Sequence, residues 1–410
     1  MANFKKPIQN YPLGKRVVIM SMIFFFLICG LLNFFISGDQ QFSNLAYSFL
    51  QGKLYFTQTK VAVYDTALFE GKFYWPLQPF PAIILIPFVY IFSLFGKFFL
   101  QGYLQFFLVA GVFYLIYRIC RKIKYSSNDS LFLAFAFCFS SVFLGVALWP
   151  WSWYYSQVVA TFLLFLGLYE FLSKKRHWVL GVISGLLFLT RTPASLIIVL
   201  FVADIYFNTH TTFRSRLLNL TKIISPFILA IFLAFLYNQL RFRNIFELGY
   251  NFQLIKGSAL KAREYGIFNL IHLPGNLYYF LLSSPTPVFK DGLSHVLTYP
   301  YIKANPWGVS IFFTSPYFLY LFLLKYKNRL LKLMWVTALI IALPILLYYG
   351  VGYRQFGYRY SLDFLPLLFL ILLIGYRRKY RILSKAFKIV ILVVAHTNLY
   401  LFITFLSDFI

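Results

Sequence analysis

Acidic residues are scarce in this sequence: 11 Asp and Glu stand against 38 Lys and Arg in 410 residues, and only 12% of the chain is charged. A water-soluble globule carries about 25% charged residues, so a chain this poor in charge cannot coat a soluble surface. Cysteine is equally rare, at 3. Cys29, Cys120 and Cys138 fall in or beside apolar runs, where a thiol acts as a small buried hydrophobe. No CxxC and no Cys/His pair marks a metal site. The sequence also lacks a Walker A loop, GxGxxG, HExxH and GxSxG, so ATP-driven transport, nicotinamide chemistry and zinc proteolysis lose support. It has no RNA- or DNA-binding signature. The net charge of +27 sits in short loops between apolar runs, which points to a membrane rather than to nucleic acid.

Apolar residues are abundant. They make up 60% of the chain, with 52 Phe and 32 Tyr. Tyr suits the membrane interface, where the ring sits in lipid and the hydroxyl in water. Runs of spanning or near-spanning length lie near 17–36, 102–119, 130–149, 154–172, 222–240, 308–324, 333–350, 362–375 and 389–407. The first follows Lys5, Lys6, Lys15 and Arg16 and is too long for a signal-peptide core, so it reads as a retained span. The run 178–207 exceeds the ~20 residues of one span. Arg191 and Pro193 interrupt it, so it splits into two short helices. The stretch 79–99 holds Pro79, Pro81 and Pro87 and is expected not to cross.

The positive-inside rule then places Arg118–Lys124, Lys174–Arg176, Arg214–Lys222, Lys325–Lys332 and Arg377–Lys388 in the cytoplasm. The expected fold is all-α: one integral membrane domain over 1–410, a polytopic transmembrane bundle of about eleven spans with outer-face juxtamembrane helices. The N-terminus is expected inside and the C-terminus outside. Two large loops, 37–78 and 241–305, face outward and pack on the helix ends, because neither can bury a core of its own.

The first outer loop concentrates acids. Asp39 follows the first span immediately, at the depth where a lipid phosphate and a water-borne hydroxyl meet. It also reads as the N-cap of an amphipathic, surface-lying helix over Gln40–Gln51. Capping and catalysis are compatible. Asp65 and Glu70, with Lys72 and Tyr74, belong to a polar, aromatic turn that reads as neither strand nor span. Its carboxylates and rings suit sugar hydroxyls and sugar faces, and its rings equally suit an interfacial belt. Arg191, between two apolar half-helices, needs a partner or a wet pocket. A phosphate is one such partner, and an interfacial anchor is the other reading. Arg354, Tyr358 and Arg359 lie in the late loop 352–360 on the expected outer side. Two outward arginines run against the positive-inside tendency. They fit either a phosphate clamp or aromatic-rich anchoring.

Four stretches resemble the GT-C superfamily of membrane glycosyltransferases that use polyprenyl-phosphate sugars. They are Gly38-Asp39-Gln40 leading to 46–54; Asp65–Pro76 running into Pro79–Ala82; Tyr237–Phe242 with Glu247–Tyr250; and Phe356–Tyr360 with Asp363 and Pro366. The nearest branch resembles bacterial glycosyltransferase family 39, relatives of protein O-mannosyltransferases and of the aminoarabinose transferase. The likeness spans most of the chain but is specific only in these patches. It implies a GT-C-like fold in the cytoplasmic membrane, with the active site on its extracytoplasmic face. The activity implied is inverting sugar transfer from a polyprenyl-phosphate donor to an acceptor hydroxyl. Asp39 matches the family's catalytic acid and becomes the general base, with Asp65, Glu70, Lys72, Tyr74, Arg191, Arg354, Tyr358 and Arg359 as substrate-binding candidates.

The sequence departs from the pattern at Arg243, where glycine is expected, and at Gln40, where a second acid is common. With that acid missing, a divalent metal at Asp39 stays open and no cofactor is assigned. The chain is also shorter than relatives with a soluble C-terminal domain. The alternative is a flippase or transporter of lipid-linked saccharides. The sequence shows no internal repeat of the transporter kind, and Glu170, Asp204 and Asp363 lie near span ends.

Overall fold

The computed structural model describes residues 13–58, 64–207, 212–292 and 294–407; Lys5 and Lys6, and 59–63 of the first loop, lie outside them. Helix α1 (Leu13–Phe35) is followed by α2 (Gln41–Leu50) and a hairpin of β1 (Ala67–Phe69) and β2 (Lys72–Tyr74). Two short helices, α3 (Phe80–Ile83) and α4 (Ile86–Leu94), lead to the long α5 (Gln101–Lys122). Next come α6 (Ser127–Phe139), α7 (Phe143–Leu148), α8 (Ser152–Leu172), α9 (His177–Phe188), α10 (Thr192–Ser195), α11 (Ile198–Tyr206) and α12 (Phe213–Phe242). The second large loop carries α13 (Ser258–Arg263), α14 (Leu273–Leu281) and a hairpin of β3 (Thr286–Phe289) and β4 (Leu297–Lys303). The chain ends with α15 (Ile311–Thr314), a 3-10 segment Pro316–Leu323, α16 (Arg329–Leu346), a 3-10 turn Arg359–Asp363, α17 (Leu365–Tyr380) and α18 (Lys385–Leu406).

Among the described residues, six helices are long and apolar enough to cross a membrane: those at Gly14–Phe35, Gln101–Lys122, Ser152–Leu172, Phe213–Phe242, Arg329–Leu346 and Lys385–Leu406. Phe80–Leu94, Ser127–Phe139, His177–Phe188 and Thr192–Tyr206 are shorter apolar helices. The composition and these helices make a multi-pass membrane protein. The apolar run 130–149 breaks at Ser140 and Ser141, and 308–324 forms a short helix and a 3-10 segment rather than one α-helix. The run 178–207 divides at Leu189–Arg191.

The long helices share one polarity that positions the site. α5 begins at Gln101 and ends at Arg121 and Lys122; α17 begins near Asp363 and ends at Arg377, Arg378 and Lys379. At the basic end, Lys388 pairs with Asp129 at 2.6 Å and Lys175 with Asp204 at 2.6 Å, while the Lys379 ammonium donates to the Leu323 carbonyl at 2.9 Å. Cations near helix C-termini also complement the helix dipoles. The starts of α5 and α8 lie at the opposite end and hold the first loop.

Interhelical polar bonds and small residues set the packing. Asn33 of α1 donates to the Ala147 carbonyl at 2.8 Å, and Gln105 of α5 to the Val146 carbonyl at 3.0 Å. α9 packs on α12 through Gly181 and Gly185, a small-xxx-small pair that brings the backbones together. A Cβ on Gly181 would fall 2.3 Å from the Ile223 carbonyl oxygen.

Three expectations need correction. The fold is helical but not all-α, since each large loop folds a two-stranded antiparallel hairpin. The segment expected to be a turn is strand-paired, with Phe69 opposite Lys72 and the two residues between them, Glu70 and Gly71, at φ 47° and 73°. Such positive angles suit a tight two-residue hairpin turn. Finally, α2 does not lie on a surface: Gln41, Phe42, Ser43, Asn44, Leu45, Ala46 and Ser48 are buried. Its polar face is enclosed by the neighbouring elements, as is its apolar face. The residue at its N-cap position is Gln40, without a side-chain cap, so Asp39 stands one residue outside the helix.

Candidate active site

The chain leaves α1 and turns at Gly38, at φ 36°, where a Cβ would lie 2.3 Å from Cδ1 of Trp151. Only glycine lets the backbone pass that close to the indole. The next residues are clamped to the starts of α5 and α8. The Asp39 carbonyl accepts from Gln101 Nε2 at 3.0 Å and from Ser152 Oγ at 3.1 Å. Gln40 Oε1 accepts from the Gln101 amide at 2.9 Å, and the Gln41 amide donates to Ser152 Oγ at 2.9 Å. Gln40 therefore serves as a clamp on the first turn of α5. The Asp39 carboxylate is free of the capping role and is steadied by the Gln41 side chain.

Asp65 enters from the strand side. Its amide donates to the Leu254 carbonyl at 3.0 Å, and the Leu254 amide donates to Thr66 at 2.8 Å, so the two large loops are stitched into one layer. The Trp153 indole faces the Asp65 carboxylate and favours its ionised form. Asp65 also feels the charge of Asp39, so the first loop's two acids share one neighbourhood.

Burial pushes both carboxyls above the usual aspartate range. For Asp39 the Arg354 guanidinium and the Gln41 bond oppose this rise. For Asp65 the Arg359 charge and the Trp153 bond oppose it, while the Asp39 charge adds to it.

The arginines come from the late loop. Arg354 lies 5.9 Å over the Trp151 ring, and its carbonyl accepts from the Tyr154 hydroxyl. Arg359 is buried, with its guanidinium 5.0 Å over Tyr154 and 5.2 Å over Tyr360, and its Nε has no hydrogen-bond partner. Arg191 makes a forked pair with Asp363 at 2.6 and 2.7 Å and lies 5.7 Å from the Tyr360 ring.

Beside this cluster is a cavity of about 710 Å³. Phe188 of α9, Phe227 and Ile231 of α12 and Ile345 of α16 supply apolar wall, and Gln78, Arg191, Tyr250 and Tyr348 supply polar groups. Trp153 and Tyr360 belong to both places. They line the cavity while Trp153 bonds Asp65 and Tyr360 underlies Arg359.

Of the nine residues expected from the sequence, Asp39, Asp65, Arg354 and Arg359 come together, and Arg191 reaches them through Tyr360. The others do not join them. Glu70 sits exposed at the hairpin turn, 3.1 Å from Arg243, the residue that replaces the expected glycine. Lys72 lies 4.9 Å over Tyr55, and Tyr74 packs on Phe242 at 5.2 Å. Tyr358 is fully buried and donates to Asn276 at 2.9 Å. The sequence reading missed Trp151, Trp153 and Tyr154 at the start of α8, and Arg263, whose charge also acts on Asp65. The signal that could have found the first three was density: Trp149, Trp151 and Trp153 are three of the chain's 7 tryptophans.

A divalent metal does not fit the residues present. Among the described residues no group of three His, Cys, Asp or Glu comes together, and the positive charge at Asp39 and Asp65 is supplied by Arg354 and Arg359.

No family model matches the chain, and no curated protein matches it. Among solved structures, the apo oligosaccharyltransferase of Archaeoglobus fulgidus is similar with a TM-score of 0.46 and 14% identity. The match covers 96% of this chain but 56% of that one, so this chain spans little more than half of its length. At this level of likeness the case for function rests on the residues of the site.

Proposed function

We propose that the protein is a membrane glycosyltransferase that moves a sugar from a polyprenyl phosphate to an acceptor hydroxyl. The observation that carries this reading is the juxtaposition of Asp39, Asp65, Arg354 and Arg359 with a largely apolar cavity walled by helices. The donor's sugar, phosphate and first isoprenoid carbons occupy the cavity, with the phosphate meeting Arg191 and Arg359 at the Tyr360 boundary. Asp39 takes the acceptor hydroxyl's proton as the oxygen attacks the anomeric carbon. The carbon–oxygen bond to the phosphate breaks, the phosphate leaves with its electron pair, and configuration inverts. A burial-raised carboxyl is a stronger base than an ordinary aspartate, nearer the pKa that general-base catalysis at neutral pH favours. Arg359 stabilises the phosphate charge as it grows. Asp65 holds a sugar hydroxyl.

The site stands at the opposite end of α5 and α17 from the basic clusters. By the positive-inside rule this supports an extracytoplasmic site.

The test is incubation of purified protein with a panel of polyprenyl-phosphate sugars and candidate acceptors. Release of free polyprenyl phosphate is expected. Movement of intact donor across the bilayer without release would replace the transferase by a flippase.

A further inference from the structure

Gln78 is pinned in place. Pro76 and Pro79 restrict the backbone around it. On one side the Trp75 carbonyl accepts from Arg241 Nη1 at 2.7 Å, and on the other the Phe80 amide donates to the Leu189 carbonyl at 2.9 Å. The side chain lines the cavity at 6% exposure, and its Oε1 has no hydrogen-bond partner. A carboxamide oxygen held there without a partner costs stability unless something completes it.

Several of its polar neighbours are spent elsewhere or charged. Arg191 is a cation whose Nε and Nη2 hold Asp363, and Glu247 accepts from the Gly249 amide and from Asn251. Thr190 donates to the Leu186 carbonyl at 2.7 Å and Ser195 to the Thr192 carbonyl at 2.7 Å. Gln78 thus keeps hydrogen-bonding capacity at this wall, as a carboxamide beside the hydroxyls of Tyr250 and Tyr348. A carboxamide both donates and accepts, and its ends exchange by a half-turn, which matches a hydroxyl rather than a phosphate. Phosphate is matched by Arg191 and Arg359. A cavity of about 710 Å³ lies in the range that encloses one drug-sized ligand. That is room for one sugar, its phosphate and the first isoprenoid carbons.

We infer that Gln78 reads a hydroxyl of a single donor sugar and so sets which monosaccharide the protein accepts. This rests on the donor reading of the cavity given above. The test is binding, so it does not depend on turnover. Apparent affinities are measured by thermal shift of purified wild type and Gln78→Leu. The probes are polyprenyl phosphate alone and its gluco-, manno- and galactosyl forms. Wild type is expected to bind one hexosyl form roughly 10–100-fold more tightly than the others, the scale of one well-placed buried hydrogen bond.

Gln78→Leu should narrow that preference to about threefold or less, while holding bare polyprenyl phosphate as wild type does and melting no lower without ligand. Gln78→Asn, which keeps the amide but withdraws it by one methylene, should blunt the preference in the same direction and stands in if the leucine variant does not fold. Wild-type discrimination in either variant would overturn the inference, as would a wild type that gains nothing from any hexose. Absence of polyprenyl phosphate release from every donor would instead sink glycosyl transfer while leaving these affinities to decide Gln78.

Discussion

At the scale of single residues, the site places charge where folding alone would not. Asp39 and Asp65 are carboxyls raised by burial. An acid whose folded pKa lies above its unfolded value of about 3.9 contributes stability that is fully present below that value and lost as pH rises through the folded pKa. Ionised Asp39 therefore costs stability at neutral pH. Asp39→Asn should melt at or above the wild-type temperature at pH 7, with the difference vanishing in acid, as thermal denaturation at both pH values would register. The same shift predicts the activity profile. The base must be ionised, so kcat/KM should fall on acidification with a limb above the ~4 of an ordinary aspartate. Arg359→Lys keeps the charge but loses the planar fork, so turnover should drop about 10-fold or more while the protein stays folded. Unchanged steady-state rates in that variant would remove Arg359 from the phosphate.

At the scale of elements, α9 against α12 forms a wall of the donor cavity. Gly181→Leu drives a side chain into the Ile223 backbone, which cannot swing aside. Such overpacking costs typically ~1–3 kcal/mol or more. The expected result is a lower melting temperature together with weaker binding of polyprenyl phosphate, because Phe188 and Phe227 of the same two helices line the cavity. Wild-type melting and binding would show that the helices do not meet there. Elements were legible where one signal dominated: Arg191 and Pro193 marked the break between α9 and α10, and the scarcity of acids singled out Asp39 and Asp65. The hairpin at 67–74 was not legible. Its strands are three residues each, and their partner strip 252–254 lies far away in sequence. The burial of α2 escaped for a related reason. An amphipathic pattern says which face is apolar, but not that other elements enclose the polar face as well. Gln78 and Trp153 are ordinary residues in apolar sequence, and only the cavity gives them meaning.

At the scale of the whole molecule, the basic clusters and the carboxylate pair occupy opposite ends of the long helices. Single cysteines at exposed Lys53 and Lys261 should therefore react with an impermeant maleimide in intact cells, and one at Lys327 only after permeabilisation. Labelling of Lys53→Cys and Lys327→Cys from the same side would contradict the arrangement. That polarity and the proposed chemistry meet at one carboxylate, and Asp39→Asn separates chemistry from architecture. The backbone clamp through the Asp39 carbonyl survives the change, and the capping position belongs to Gln40. The decisive measurement is the rate of polyprenyl phosphate release from a polyprenyl-phosphate sugar, with purified wild type and Asp39→Asn side by side. Loss of a general base lowers rates by about 10²–10⁴-fold, so the variant should be slower by at least about 10²-fold at unchanged melting temperature or above. Release by well-folded Asp39→Asn at the wild-type rate would contradict the account.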